Sequence, residues 1–396
     1  METPSKKKKL NPFNIFILLV IGLIFTLHHF TFKDLSTAFL KLEKIEFLNY
    51  VFFRNIKLCI LILLLFVLLF LFKKIGITGW KWYVLSVFIS AFQLFYGIEL
   101  YLSVMPPSQG NGEAFVSKLW FQKYWEVNNY KYRDRAFKIE SVSNKNIILY
   151  VGDSYVAGHG IKKTSQRTPN LLELLLKNKY YIINGGRNGI GTRDEFKIIR
   201  NFPISPKLII LTHVSNDIND VKSESELNNR KNTSPSRLIN FLYKNSRNSF
   251  FFDLIYIFKK NQSFFKNEQS ESGIETKRFD YEYYKVDSLQ KLHFNDLKTI
   301  VDYVTDSIKS KIVILTYPEG DDNTIDSSNF YINQKIASHF KDEKNVFIFN
   351  TTALFKRINQ KGRVVNMFDG HPSAQMNKII ADSLFQFLVT KEILAP

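Results

Sequence analysis

The sequence predicts an α/β domain with a parallel sheet covered on both faces, carried behind an N-terminal module of transmembrane helices. Three observations predict it. Apolar residues make up 45 % of the 396-residue chain and crowd towards its N-terminus, while a mean hydropathy of −0.12 leaves the remainder polar. Beyond that module, short β-branched runs alternate with helical stretches, the pattern of strands joined by crossover helices. Glycine-rich segments follow the carboxyl ends of those strands, where open parallel sheets bind their ligands.

Three apolar stretches, Phe13–Phe30, Ile56–Phe72 and Trp80–Val104, each approach the roughly 20 residues needed to cross a hydrocarbon core. The first has the basic flank of a secretory signal in Lys6, Lys7, Lys8 and Lys9. His28, His29 and Phe30 stand where a small-residue cleavage site would follow, so it reads as an uncleaved span. Lysine placement orients the module. Lys6–Lys9 and the Lys73–Lys74 loop are expected in the cytoplasm, with everything after Val104 on the far side. Lys33, Lys41, Lys44 and Arg54, in the loop Thr31–Asn55, pull the other way. Glu99, near the outer end of the third span, is expected to reach the interface rather than act inside the membrane. Cys59, the single cysteine, excludes an intrachain disulfide and reads as a small buried hydrophobe.

Pro106 and Pro107, then the polar run Ser108–Gly112, mark a domain boundary. Five strands are expected at Ile147–Val151, Tyr181–Asn184, Leu208–Thr212, Ile312–Tyr317 and Val346–Phe349. Helical stretches are expected between the first two strands, ending in Leu171–Leu176, and at Arg193–Arg200, Leu292–Lys309, Asn329–Phe340 and Gln375–Val389. The domains are therefore drawn as residues 1–105 (membrane module), 106–145 (linker and lead-in) and 146–396 (α/β domain), with an insertion at about 221–289.

A net charge of +18 and a pI of about 9.6 raise the question of an acidic partner. No zinc spacing or RNA-reader motif accompanies the charge, so nucleic acid is not expected. A solvated Lys- and Asn-rich surface is the favoured reading, with attraction to anionic lipid as an addition. The seven histidines are scattered without ligand spacing, and no metal or other cofactor is expected. The glycine loops lack the Lys-Ser/Thr of a phosphate loop and the glycine spacing of a dinucleotide site.

The chemistry gathers in four segments. The first strand runs into Gly152-Asp153-Ser154-Tyr155-Val156-Ala157-Gly158-His159-Gly160. A serine just past a strand, at the start of a helix, exposes its oxygen and aims free N–H groups at a developing anion. A glycine-rich ligand turn would look similar. The second strand ends in Asn184-Gly185-Gly186-Arg187-Asn188-Gly189, suited to presenting a backbone N–H or to an ordinary loop. The third ends in His213-Val214-Ser215-Asn216-Asp217. There Asn216 either donates its amide to an oxyanion or makes an Asx turn. Before the last helix comes Asp369-Gly370-His371-Pro372, a base with its orienting acid nearby.

Together these segments resemble the SGNH/GDSL hydrolase family: Gly152-Asp153-Ser154, Gly189, Asn216-Asp217 and His371-Pro372 occur in the family's order. Tyr132-Arg133-Asp134 looks like the segment before the first block in some membrane-anchored members. The resemblance spans roughly Asn129 to Leu388. It implies a flavodoxin-like three-layer α/β/α sandwich with strand order 2-1-3-4-5. It also implies that Ser154 attacks an ester carbonyl, that His371 shuttles the proton, and that the Ser154 and Gly189 N–H groups with the Asn216 side chain hold the oxyanion. The sequence departs from the family twice. Val214 stands where a glycine is usual, and Phe368 occupies the usual place of the acid. Asp369, two residues before His371, shares a face with it in an extended segment and is taken as the acid. Asp153, His159, His213 and Val214 are placed around the substrate pocket.

The insertion is expected to fold as helices capping the site. Packing on the core is favoured over contact of its aromatic, basic face (Phe250–Lys260) with a bilayer. The leading expectation is a membrane-anchored esterase acting outside the cytoplasm on O-acyl groups of a cell-envelope glycan or lipid. An O-acyltransferase, served by a membrane partner that supplies the acyl donor, and a non-catalytic binding protein on the same fold are the alternatives.

Overall fold

The computed structural model describes residues 12–33, 43–109, 115–177, 179–222, 241, 248–266, 283–318 and 329–394. Lys6–Lys9, Lys41, Ser223–Ser236 and Ser270–Gly273 lie outside these residues. In chain order the longer helices are α1 (Pro12–Phe32), α2 (Lys44–Lys74), α3 (Gly79–Val104), α4 (Phe115–Tyr124), α5 (Thr168–Leu175), α6 (Thr192–Arg200), α7 (Phe250–Lys266), α8 (Asp287–Asp302), α9 (Asn329–His339) and α10 (Ala374–Thr390). The chain forms two compact units, one of residues 1–107, 111–123 and 234–266, the other of 108–110, 124–233 and 267–396.

In the first unit, α1, α2 and α3 are 21, 31 and 26 residues long, apolar and long enough to cross a membrane. One seam of each is buried, with Ile17, Leu58, Leu61, Leu65, Ile89 and Tyr96 in a shared cluster. Their outer faces expose Leu19, Phe25, Phe66, Phe70 and Val87, surface that water would disfavour and lipid tails would not. Cys59 lies on such an outer face, so the expectation of burial is corrected: the helix turns it away from the seam.

Two further expectations are corrected here. Helix α2 begins at Lys44, so much of the supposed loop Thr31–Asn55 is helical and carries Arg54 into the packed interior. Glu99, expected at an interface, is enclosed by protein. It is fully buried and accepts a hydrogen bond from Arg54 Nη2 at 2.6 Å. Its carboxylate also receives the Ser249 hydroxyl and the N–H groups of Phe250 and Phe251, the latter two at 3.2 and 2.9 Å. A helix N-terminus is a ready anion site, and α7 supplies one. The described helix of the insertion therefore packs within the first unit, where Phe250 joins Phe47, Val51, Leu102, Val116 and Leu119. There the N-terminus of α7 supplies donors to the buried carboxylate.

The second unit holds β1 (Ile147–Val151), β2 (Tyr181–Asn184), β3 (Leu208–His213), β4 (Lys311–Thr316) and β5 (Val346–Asn350), all parallel, in the order β2-β1-β3-β4-β5. Strands buried on both faces read as continuous apolar runs, which is why Ile147–Val151 is legible as one. Alternation sorts the side chains. Ile147, Leu149 and Val151 face α6, α8 and α9 through Ile198, Ile300 and Ile336. Ile148 and Tyr150 face α5 and α10 through Leu172, Ile380 and Leu384. The result is the three-layer α/β/α sandwich that the resemblance implies. A separate antiparallel hairpin, β6 (Val364–Asn366) and β7 (Asp369–Pro372), precedes α10.

Candidate active site

Strand β1 delivers the serine. After Val151 the chain turns through Gly152 and Asp153 into one helical turn, Ser154–Ala157. The Asp153 carboxylate caps that turn by accepting the Tyr155 N–H at 2.9 Å. Burial raises Asp153 above the ordinary carboxylate value, opposed by bonds from the Tyr155 N–H and by His371, and by the Ser154 hydroxyl and N–H. Asp153 is 2 % exposed, and its carboxylate is engaged by the turn that carries the serine.

The base and its acid come from β7. Ser154 Oγ lies 2.8 Å from His371 Nε2, and His371 Nδ1 lies 2.6 Å from Asp369 Oδ1. The His371 N–H also donates to Asp369 Oδ1, at 3.1 Å. Extended backbone puts residues two apart on one side, so Asp369 reaches the imidazole from its own strand. Burial alone would raise Asp369. The hydrogen bond from His371, its charge, and lesser help from His159 and Ser108 outweigh burial and hold the carboxyl down to about 2. An ionised acid on Nδ1 keeps the proton there and leaves the Nε2 lone pair facing the serine.

His159 is stacked on His371, ring centroids 4.3 Å apart and planes 6° from parallel. Its Nε2–H donates to the Gln109 carbonyl at 3.0 Å, and its Nδ1 accepts from Asn188 Nδ2 at 3.1 Å. Burial, then His371, lowers His159 to about 4, so it is neutral near pH 7. His159, Asp369 and His371 present ligand atoms within 4.8 Å of one another. Every nitrogen of the two rings already has a hydrogen-bond partner, so a cation would have to displace the bonds that hold His371.

The other sequence-chosen residues follow the neighbouring strands β2 and β3, which flank β1 in the sheet. Gly186 lets the β2 loop press onto the serine turn: a Cβ there would lie 2.4 Å from the Ala157 nitrogen. Gly189 has φ +71°, a left-handed conformation, with open space where a side chain would be. Asn216 is half-buried, and its amide makes no hydrogen bond among the described residues, so it is an available donor. Val214 is buried in the core facing α5 and α10, and its N–H donates to Asp217 Oδ2 at 3.0 Å.

His213 does not belong with them. It shares the strand face of Ile209 and Leu211, and its Nε2 lies 3.0 Å from both Tyr284 Oη and His293 Nε2 in the core. Burial lowers it to about 3, and its placement at the pocket is corrected by this alternation of strand faces. The lead-in residue Arg133 forms, with Arg167, a brace of buried arginines whose role the sequence does not show. Arg133 Nη1 donates to the Gly158 carbonyl at 2.5 Å and Nη2 to that of Ile161 at 2.6 Å, while Arg167 bonds the Arg133 carbonyl. They hold the chain that leaves the serine turn. Buried arginines bonded to carbonyls carry no mark in sequence that separates them from surface arginines.

No protein-family model matches the chain, and no curated protein matches it. Solved structures of similar fold include a protein described as lipolytic and of the G-D-S-L family from Desulfitobacterium hafniense. It is 11 % identical, with 61 % of this chain and 99 % of that chain covered and a TM-score of 0.36. A catalytic mutant of an acetylxylan esterase from Geobacillus stearothermophilus is 14 % identical, with 64 % and 95 % covered and a TM-score of 0.36. A carbohydrate acetylesterase from Sinorhizobium meliloti is 13 % identical, with 62 % and 100 % covered and a TM-score of 0.34. Likeness at this level transfers no substrate and no residue role.

Proposed function

We propose that the chain is a membrane-anchored serine esterase in which Ser154 is the nucleophile, His371 the base and Asp369 its orienting acid. One observation carries this reading: the unbroken line from Asp369 Oδ1 through His371, 2.6 Å on one side and 2.8 Å on the other, to Ser154 Oγ. His371 Nε2 takes the hydroxyl proton as Oγ bonds to the ester carbon. The carbonyl oxygen becomes an anion, received by the Gly189 N–H and the Asn216 amide, with the Ser154 N–H turning from Asp153 to join them. The adduct collapses, the alcohol leaves with the proton from Nε2, and an acyl-serine remains. Water then loses a proton to Nε2, attacks the acyl carbon and releases the acid, restoring Ser154.

The three apolar helices support anchoring, and the lysines at the start of the chain and at Lys73–Lys74 support an extracytoplasmic catalytic unit. A substrate class follows from that place: O-acyl esters on an envelope glycan or lipid. A sugar hydroxyl replacing water would make the same acyl-serine a transferase, with its acyl donor supplied by a membrane partner.

The full chain in detergent is assayed on p-nitrophenyl acetate and butyrate beside Ser154→Ala, and both are treated with a fluorophosphonate. The reading expects hydrolysis and labelling that the substitution abolishes. Labelling at Ser154 without turnover moves the reading to the transferase, and a folded chain that neither turns over nor labels overturns it.

A further inference from the structure

We propose that Ser108 and Gln109, the first residues after the Pro106–Pro107 exit from α3, are positioning residues of the Ser154–His371–Asp369 site, an inference that rests on the esterase reading above. In sequence they look like a spacer. In the structure Ser108 is 2 % and Gln109 5 % exposed. A spacer has no reason to be buried, and burying polar groups is costly unless they find partners.

Both residues find partners at the site. Asn366, at the turn between β6 and β7, donates from Nδ2 to the Ser108 carbonyl at 3.1 Å and to its Oγ at 3.3 Å. An Oγ that accepts from Asn366 keeps its own proton for another acceptor. Asp369 offers one. Its Oδ1 is used by His371, whereas its Oδ2 is buried and makes no full hydrogen bond among the described residues. His159 Nε2 stands 3.8 Å from that oxygen, and the Ser108 hydroxyl is near enough to help hold the carboxyl down. A donor on Oδ2 fixes the carboxylate plane, and with it the plane of the imidazole that Oδ1 holds.

Gln109 acts on the other side of the base. Its carbonyl accepts the His159 Nε2–H at 3.0 Å, which sets the tautomer and leaves Nδ1 to accept from Asn188 at 3.1 Å. The same ring is the flat surface on which His371 stacks, at 4.3 Å. Asn188 adjoins Gly189, the candidate oxyanion donor. Two consecutive residues of the tether thus bear on the acid, on the ring behind the base and on the β2 loop. This arrangement makes the anchor's exit segment part of the site's framework, so a catalytic unit cut after Gln109 loses that framework.

The test uses the full chain in detergent with Ser108→Ala and Ser108→Thr, read as kcat and KM on p-nitrophenyl acetate, fluorophosphonate labelling rate and thermal midpoint. Ser108→Ala is expected to lower kcat and the labelling rate about tenfold, with KM changed less than about twofold, because the base is misplaced while the binding surface stays. Ser108→Thr keeps the hydroxyl and is expected to restore both. An active wild type with Ser108→Ala equal to it overturns the inference and leaves the esterase reading standing. A Ser108→Ala defect that Thr does not rescue, or one that appears in KM alone, also overturns it. An inactive, unlabelled wild type fails the esterase reading itself.

Discussion

His159 lies flat against His371, 4.3 Å between ring centroids, with both of its own nitrogens tied to groups off the stack. The neutral ring fixes the plane of the base without adding a charge beside it. Two substitutions separate stacking from tethering. His159→Phe keeps a flat face and loses the bonds to Gln109 and Asn188; His159→Ala loses both. The expected order of kcat is wild type, then His159→Phe, then His159→Ala, the last down about 10–100-fold through loss of alignment. Steady-state rates on a p-nitrophenyl ester check the order. Equal loss in the two variants would place the effect in the tether alone.

Asp369 yields a rate prediction and a stability prediction. Asp369→Asn keeps the shape but favours the wrong imidazole tautomer, so kcat should fall about 10³–10⁴-fold. The carboxyl sits at about 2 in the folded chain against about 3.9 when unfolded. A depressed folded value contributes stability that is present above about pH 4 and is lost as pH falls towards 2. The contribution is on the order of 2 kcal/mol at neutral pH. Thermal midpoints from pH 6 to pH 3 should fall more steeply for the wild type than for Asp369→Asn.

Glu195 has the opposite sign. It is 1 % exposed on α6, and burial raises its carboxyl well above the usual range, with Asp217, Asp153, Asp220 and Asp194 pushing the same way. The folded chain therefore keeps a proton that the unfolded chain releases. Its share of stability is complete below the unfolded value, about 4.3, and declines as pH rises. Glu195→Gln resembles the protonated form without titrating. It should raise the thermal midpoint at pH 8 and change it little at pH 4, and a lowered midpoint at pH 8 would refute the neutral carboxyl.

Much of the fold and the reacting line was legible for physical reasons. Parallel strands buried on both faces leave apolar runs such as Ile147–Val151, and a two-residue period places Asp369 beside His371. What was illegible depends on partners far apart in the chain. Ser108 and Gln109 are small or polar residues after two prolines, the composition of a linker, yet Ser108 meets Asn366 from 258 residues away. His213 was grouped with the pocket by its nearness to Asn216 in sequence, while strand alternation sends it to Tyr284 and His293. Glu99 read as an interfacial charge and Arg54 as a loop cation because nothing local shows that α2 extends back to Lys44 or that α7 docks there.

That buried pair supports the last prediction. Arg54 and Glu99 are 1 % and 0 % exposed, 2.6 Å apart, with the Arg54 guanidinium 4.9 Å from the centre of the Phe250 ring. Removing one partner leaves the other buried and uncompensated, which typically costs about 3–5 kcal/mol. Glu99→Ala also deprives Ser249 and the Phe250 and Phe251 N–H groups of their acceptor, so it should be the harsher of the two single changes and should loosen α7. Replacing both, as Arg54→Met with Glu99→Leu, removes the stranded charge and should recover part of the loss, though not the α7 cap. Thermal midpoints of the detergent-solubilised chain, with hydrogen exchange across Phe250–Phe258, check the ranking. A double variant less stable than Glu99→Ala would show that the pair's value lies in packing rather than in charge compensation.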